Sequence, residues 1–203
     1  SEMVSNPQSY FKQWIPSRSE LLQNLETEAL KEQIPIIGPV LGQLLFILAR
    51  LIRAKDICEL GTATGYSTIH LADACRANHG RVITFEHDPS LAERARNNIA
   101  NAGLAEFVEV RNQDAIEALS NIKTLLDMVF IDIEKQDYIR ALSSCKTILR
   151  SGGLLVADNT GFKDADSFNR AIYDDPDWRV VNLWAFWPGH SPHNDGLCLA
   201  LKS

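Results

Sequence analysis

The ten residues "CELGTATGYS", Cys58 to Ser67, decide the fold, because a short apolar run leads into a glycine turn before helix-forming residues resume. Glycine has no Cβ, so Gly61 and Gly65 can adopt positive φ and let a ligand approach the main-chain N–H groups. A strand, a glycine turn and a helix in this order are typical of the ligand-binding edge of an α/β sheet. The stretch therefore predicts a ligand that lies close to the backbone.

Apolar, β-rich runs alternate with helical patterns on both sides of this stretch, as in a doubly wound parallel sheet covered by helices on both faces. The loop "WPGHSPHND" joins the last two apolar runs as a hairpin, so the final strand should be antiparallel. Ser17 or Ser19 is the expected N-cap of the first long helix. The predicted strands cover residues 56–60, 81–86, 107–112, 126–132, 153–158, 179–184 and 196–202. The predicted helices cover residues 17–33, 40–53, 67–76, 89–101, 115–119, 135–149 and 164–173.

Composition excludes several classes of protein. At 203 residues and 45% hydrophobic content, the chain can bury one α/β core, so we predict a single domain over 1–203 with 1–54 as a helical cover. A net charge of −6 leaves no basic surface for nucleic acid or anionic lipid. Proline and glycine interrupt the longest apolar run, 34–49, so no membrane span is expected. The four cysteines lack C-x-x-C spacing and are expected to be reduced core thiols of a cytoplasmic protein.

Polar residues end each of the five strands of the predicted parallel core. In an open α/β sheet these ends share the edge at which ligands bind. Capping of the following helix explains any one of these residues, Asp88 and Asp114 in particular, but five such ends at one edge favour a site. The strand-end residues are Glu59 with Gly61, Glu86 with His87 and Asp88, Gln113 with Asp114, Asp132 with Lys135, and Asp158 with Asn159.

The glycine turn favours one class of ligand. A nicotinamide site requires G-x-G-x-x-G, whereas "GTATG" at 61–65 has alanine where the second glycine should stand. A ligand with a ribose and no phosphate still needs an acid after the second strand, and Glu86 can accept bonds from both ribose hydroxyls. S-adenosylmethionine fits this description. Its sulfonium and ammonium groups suit an edge that carries Glu59, Asp132 and Asp158.

Four motifs carry a resemblance to a known family: "CELGTATGYSTIHLA", "ITFEHDPSLAERARNNIANAGL", "LDMVFIDIEKQDYIRAL" and "GGLLVADNTGF". In order and spacing they resemble the class I methyltransferases of the caffeoyl-CoA and catechol O-methyltransferase family, in register from about Gly42 to the C-terminus. The resemblance implies a seven-stranded Rossmann-like sheet of order 3-2-1-4-5-7-6 with an antiparallel last strand. It also implies a homodimer.

The resemblance implies a role for each strand-end residue. Its donor-binding residues are Glu59, Gly61, Thr62 and Ser67 for the methionine part, Glu86 for the ribose, and Asp114 with Ala115 beside the adenine. Its metal ligands, for Mg²⁺, Ca²⁺ or Mn²⁺, are Asp132, Asp158 and Asn159. Asp132 stands between the cation and the donor's amino group, Lys135 lies beside the reacting hydroxyl as the catalytic base, and Asp195 contacts the substrate.

The chemistry of methyl transfer agrees with these residue roles. Methyl transfer from a sulfonium is an in-line displacement that needs an electron-rich acceptor oxygen. Two carboxylates and an amide oxygen form a hard-oxygen cation site with positions open for a vicinal diol, and Lys135 can take the departing proton. The alternative for Asp132 and Lys135 is a strand-end acid followed by a lysine in solvent. We predict a metal-assisted O-methyltransferase of a small catechol-like or phenolic acceptor.

Two features leave other functions open. The segment between Asn159 and Trp178 lacks the insertion that covers the substrate in the plant enzymes, so the acceptor is not defined. His190 and His193 can belong to a second metal site with Asp195, although a flexible polar loop is the favoured expectation. The alternatives to the predicted function are a metal-independent methyltransferase or Rossmann oxidoreductase, and a non-catalytic nucleotide-binding module.

Overall fold

A computed structural model describes residues 1–203. Its strands are β1 (Asp56–Leu60), β2 (Arg81–Phe85), β3 (Val108–Arg111), β4 (Leu126–Ile131), β5 (Leu149–Ala157), β6 (Trp178–Phe186) and β7 (Asn194–Lys202). Its α-helices are α1 (Pro7–Phe11), α2 (Glu20–Glu32), α3 (Gly38–Leu51), α4 (Tyr66–Cys75), α5 (Pro89–Asn101), α6 (Ala115–Leu119), α7 (Tyr138–Ile148) and α8 (Asp166–Asp174). Single 3₁₀ turns cover 12–14, 76–78, 105–107, 135–137 and 163–165.

The seven strands form one sheet in the order β3-β2-β1-β4-β5-β7-β6. Strands β1 to β5 pair in parallel, while β7 is antiparallel to both β5 and β6. The predicted fold class, strand order and antiparallel last strand are therefore confirmed. Because β6 runs parallel to the core strands, the loop between β6 and β7 lies at their carboxyl ends.

The structure differs from the sequence prediction mainly at the ends of elements. Strand β5 begins at Leu149, where the prediction began at Gly153, because Leu149 already pairs with Leu126 of β4. Lys135–Asp137 forms a 3₁₀ turn, so α7 begins at Tyr138. Helix α1 was not predicted, since it is one short exposed turn capped by the Asn6 side chain.

The core lies on both faces of the sheet. One hydrophobic cluster packs α2 to α5 against the sheet and includes Leu45, Ile69 and Ile99, and the other packs α6 to α8 and includes Tyr138 and Phe168. All four cysteines are buried and free, as expected. No helix has the length and apolar character needed to cross a membrane.

Main-chain bonds continue the parallel ladder one residue past β2, β4 and β5. Asp132 N–H donates to the Leu60 carbonyl (2.9 Å), and Asp158 N–H donates to the Ile131 carbonyl (3.0 Å). Glu86 N–H likewise donates to the Arg111 carbonyl at 3.1 Å. The first residue after β2, β4 and β5 is thus held at the carboxyl edge of the sheet.

Candidate active site

The turn after β1 is the first part of the site. Gly61 and Gly65 have φ of +98° and +89°, a region that side chains disfavour. A Cβ added to Gly61 would overlap the main-chain carbonyl oxygen of Asp132. Gly65 is the N-cap of α4, and the Oγ1 of buried Thr64 beside it has no hydrogen-bond partner in the protein. The glycines therefore bring the turn close to the end of β4.

Glu59, in β1, is a fully buried carboxylate. It accepts hydrogen bonds from the hydroxyls of Ser67 (2.6 Å), Thr68 (2.5 Å) and Thr84 (2.8 Å). Burial raises the pKa of Glu59 to about 7, although the three hydroxyls act against the shift. A cationic group brought beside this carboxyl would favour its ionised form.

Glu86 joins the end of β2 to the glycine turn. Its Oε2 accepts from Ala63 N–H (2.9 Å) and its Oε1 accepts from Asp88 N–H (3.0 Å). A carboxylate has about four acceptor positions, so these two bonds leave others for a ligand. Glu86 is only 6% exposed, and its orientation is set by main-chain donors.

The remaining residues expected at the donor site have structural roles as well. Asp88 caps α5 by accepting from Ser90 and Leu91 N–H, and Asp114 caps α6 by accepting from Glu117 N–H at 3.0 Å. The capping alternative considered for these acids is therefore correct. Capping does not test the expected adenine contacts of Asp114 and Ala115, which stay predictions. Thr62 is buried, with its Oγ1 2.6 Å from that of Thr84.

Asp132 and Lys135 lie together at the end of β4. The Lys135 Nζ donates to the Ile133 carbonyl at 3.1 Å and lies 3.5 Å from Asp132 Oδ1. Burial raises the pKa of Asp132 to about 6, and the charge of Asp158 adds to the shift while Lys135 and His190 oppose it. Because Lys135 is only 23% exposed, the alternative of a lysine in solvent is wrong.

His190 was expected only in a flexible loop or in a second metal site with Asp195, and its contact with Asp158 was not predicted. It is 3% exposed, and its Nε2 lies 2.9 and 2.8 Å from the two carboxylate oxygens of Asp158. Burial lowers the pKa of His190, but the contact with Asp158 outweighs it and leaves that pKa raised. The expected flexible polar loop is thus wrong for His190, whereas His193 is exposed.

Asp195 lies at the same edge, as the predicted topology requires. Its Oδ2 accepts from the Asn159 amide nitrogen (2.6 Å), and its Oδ1 accepts from Gly161 N–H (3.1 Å) and Gly196 N–H (2.7 Å). One ligand atom each from Asp158, His190 and Asp195 all lie within 4.8 Å of one another. The edge therefore holds two overlapping groups of side chains that could bind a cation, the predicted Asp132, Asp158 and Asn159 and the observed cluster of Asp158, His190 and Asp195.

A polar groove opens beside this cluster, between α2 and the loop that joins β6 to β7. Its volume is about 740 Å³, and its lining includes Arg18, Glu26, Ile36, His190 and His193. The Arg18 guanidinium and the Tyr66 hydroxyl both donate to Glu26. The groove is large enough for a small molecule, and it borders the strand-end cluster through His190, which contacts Asp158.

Comparison with known proteins gives a family and close structural neighbours. A family model described as O-methyltransferase matches residues 14–183. Over 127 residues the chain is 42% identical to a catechol O-methyltransferase of Niastella koreensis, which covers 61% of this chain and 57% of that protein. The match thus spans little more than half the length of this relative.

Two solved structures are similar over nearly the whole chain. The O-methyltransferase TomG of Streptomyces achromogenes, involved in tomaymycin synthesis and in complex with SAM, has a TM-score of 0.86 and 28% identity, covering 97% of this chain and 96% of TomG. An O-methyltransferase of Bacillus cereus in complex with SAH has a TM-score of 0.87 and 25% identity, covering 97% of both chains. The fold of this chain is the fold of both neighbours.

Proposed function

We propose a reaction for this chain from one premise: the chain belongs to the O-methyltransferase family whose model it matches. That membership confirms the resemblance of the four motifs. The proposed reaction is transfer of a methyl group from S-adenosylmethionine to a hydroxyl of a small catechol-like or phenolic acceptor, assisted by a divalent cation. The observation that carries it is the acidic edge, where Glu59, Asp132 and Asp158 follow one another along neighbouring strands.

The donor site fits S-adenosylmethionine, which supplies an electrophilic methyl group on a sulfonium. Gly61 and its positive φ keep the backbone open, and the unpartnered Thr64 hydroxyl lies in the same turn. Glu59 is the group that would hold a cationic ammonium, with Ser67 bonded to it. Glu86 retains acceptor positions for the two ribose hydroxyls.

The cation site fits a hard divalent cation that prefers oxygen ligands. When bound, such a cation would lower the pKa of a coordinated hydroxyl. Asp132 and Asp158 repel each other electrostatically, and a cation would relieve this repulsion. The Asn159 amide nitrogen donates to Asp195, so the amide oxygen remains as a ligand atom. Asp132, Asp158 and Asn159 are therefore the residues proposed to hold it.

The remaining groups act on the acceptor. Lys135 is the proposed base, because its Nζ lies at this edge, 3.5 Å from Asp132 Oδ1, and in its unprotonated amine form it would take the hydroxyl proton. Asp195, held by two main-chain N–H groups and the Asn159 amide, is the proposed acceptor contact. The edge as a whole would hold donor and acceptor in line.

The relatives support this assignment. The two structural neighbours are complexes with SAM and SAH, and the curated relative from Niastella koreensis is a catechol O-methyltransferase. A homodimer and a cytoplasmic location, both expected from the sequence, stay predictions that light scattering and fractionation would test.

Calorimetry tests the donor. The chain should bind S-adenosylmethionine and not NAD, and Glu86→Ala should weaken donor binding by about 1.5–3 kcal/mol through lost charge-assisted bonds. Glu106→Ala is the matched control, because this exposed glutamate before β3 makes no side-chain contact with Glu86 and should leave binding unchanged. Tight NAD binding would favour the oxidoreductase, and an unaltered dissociation constant in Glu86→Ala would remove the ribose assignment.

Metal-independent methylation is the second candidate, since His190 already brings a basic group to Asp158. A catechol methylation assay across an EDTA and Mg²⁺ titration separates the two. Loss of turnover in EDTA and recovery with Mg²⁺ support the first candidate. Full turnover in metal-free buffer supports the second, and no turnover under any metal condition would count against a catechol acceptor.

A further inference from the structure

We infer that His190 is a metal ligand, and that with Asp158 and Asp195 it gives this edge a preference for a d-block dication such as Zn²⁺ or Co²⁺ over Mg²⁺. The inference revises the ligand set of the proposed function by placing His190 and Asp195 beside the shared Asp158, and it rests on that function only for the cation's role in methylation. The ligand set itself stands on the geometry of three buried side chains: Asp158 just after β5, His190 in the loop before β7, and Asp195 in β7.

The distances suit a shared cation. The Nε2 of His190 lies 2.8 and 2.9 Å from the Asp158 oxygens, and one oxygen of Asp195 completes a set within 4.8 Å. With metal–ligand bonds of about 2.0–2.2 Å, neighbouring ligand atoms stand about 3–3.5 Å apart. The separation between His190 Nε2 and the Asp158 oxygens already has nearly that length, and the Asp195 oxygen would have to approach by up to about 1–2 Å.

The hydrogen bond on the far side of the imidazole orients the ring. The Nδ1 of His190 faces the main-chain carbonyl of Pro192, which can only accept, so Nδ1 carries a hydrogen. In the neutral ring the Nε2 lone pair then points at the Asp158 carboxylate. Two acceptors face each other there, and a cation, either a proton or a metal ion, must lie between them. An Nδ1–H bond to a main-chain carbonyl is the usual support of a histidine that binds metal through Nε2.

The loop that carries His190 is packed in place. A Cβ on Gly38, at the start of α3, would overlap the main chain of Gly189 and His190. The indole of Trp187, 6% exposed, donates to the Asp195 carbonyl at 3.2 Å. Asp195 is in turn oriented by three N–H donors, as metal-binding carboxylates commonly are. The three ligands thus belong to a preorganised cluster.

Ligand chemistry gives the selectivity. Mg²⁺ prefers oxygen ligands in octahedral geometry and keeps several waters, whereas an imidazole nitrogen suits Zn²⁺, Co²⁺ and Cu²⁺. A set of two carboxylates and one imidazole should therefore favour these ions over Mg²⁺. The two carboxylates and one amide oxygen of the proposed oxygen site, Asp132, Asp158 and Asn159, contain no nitrogen ligand that would give this preference.

Calorimetric titration of the reduced full chain tests the inference. Zn²⁺ should bind at one site per chain and at least about 100-fold more tightly than Mg²⁺, and His190→Gln should weaken Zn²⁺ binding by about 100-fold. His193→Gln is the matched control, because this exposed histidine of the same loop should leave Zn²⁺ binding unchanged. Equal losses in both variants, or Mg²⁺ binding as tight as that of Zn²⁺, would overturn the inference.

Pulsed electron paramagnetic resonance on the Cu²⁺-loaded wild-type chain avoids dependence on any variant. The spectrum should carry the nitrogen coupling of one imidazole. Absence of that coupling, or no Zn²⁺ binding at all, would mean that His190 and Asp158 form an internal ion pair and that the inference is wrong. Donor calorimetry on the same samples keeps the two proposals apart, since S-adenosylmethionine binding does not need His190.

Discussion

The two ends of β4 carry the same residue type in opposite electrostatic surroundings. Asp127, near the start, accepts from the Arg150 guanidinium (2.6 Å) and from the N–H groups of Lys55 and Asp56 (2.8 Å each). Burial raises the pKa of Asp127, but these donors outweigh it and leave the pKa lowered. Asp132, just past the other end, has its pKa raised to about 6 by burial and by Asp158.

This difference distinguishes the amino edge of the sheet, where Asp127 has a structural role, from the carboxyl edge, where the candidate active site lies. Asp127 has its counter-charge within the protein, so its ionised form stabilises the fold. Asp132 and Glu59 have raised pKa values, which means that their ionised forms cost stability until a cationic partner binds. Acids that a protein leaves in that condition are candidates for ligand binding.

The largest expected effect comes from removing the acid that both cation sets share. Asp158→Ala should lower kcat for catechol methylation by about 10³-fold or more, about 4 kcal/mol, and leave donor binding within about tenfold. Asp132→Ala should lower kcat and also weaken donor binding, since Asp132 is proposed to lie between the cation and the donor. Steady-state kinetics and donor calorimetry measure the two effects.

Asp127→Ala, from the opposite end of the same strand, is the control for that experiment. It should leave kcat within about twofold, because Asp127 touches only groups at the amino edge. Wild-type turnover in Asp158→Ala would contradict the proposal that the carboxyl edge, and not the amino edge, carries the reaction.

Two glycines of positive φ extend the comparison. Gly61→Ala should cost about 3–4 kcal/mol of unfolding free energy, because strain at φ +98° adds to overlap with the Asp132 carbonyl. Gly152→Ala, near the amino edge at φ +74°, should cost only about 1–2 kcal/mol, since its Cβ would meet a flexible Arg150 side chain. Urea unfolding measures both, and equal losses would contradict the close approach at Gly61.

Glu59 predicts a pH effect of definite sign. Its pKa is about 7 in the folded chain against 4.5 for the free residue, so its stabilising contribution is full below pH 4.5 and is lost as pH rises through 7. Relative to wild type, Glu59→Gln should therefore gain about 3 kcal/mol of unfolding free energy between pH 4.5 and pH 8 without donor. Parallel stability profiles for the two proteins would contradict the raised pKa.

Asp127 should show a pH effect of the opposite sign and smaller size than that of Glu59. Asp127→Ala should lower the unfolding free energy by about 2 kcal/mol at pH 7 through its lost charge-assisted bonds. Because the pKa of Asp127 is lowered from 3.8, this difference should persist above pH 4 and disappear as pH falls further. A difference that grows toward acid pH would show that Asp127 does not stabilise through its charge.

Much of the fold and part of the site could be predicted from the sequence because their causes are local or topological. Alternation of β-rich and helical patterns sets the elements, and parallel strands bring their carboxyl ends to one edge, which gathers Glu86, Asp132 and Asp158. Helix caps such as Ser19 depend on a partner three residues away. Asp195 could be assigned to the same edge from the direction of β6 alone.

Only the tertiary structure decided what each acid contacts there. His190 meets Asp158 across 32 residues, and Asn159 turns its amide nitrogen to Asp195 across 36, through a loop whose path depends on packing against Gly38 and Trp187. The hydroxyl of Thr84 reaches Glu59 from the neighbouring strand in the same way. A sequence pattern gives the strand end at which a side chain stands, but the partner of that side chain depends on rotamers and loop packing set by residues far apart in the chain, because hydrogen bonds and charges act over a few ångströms of space.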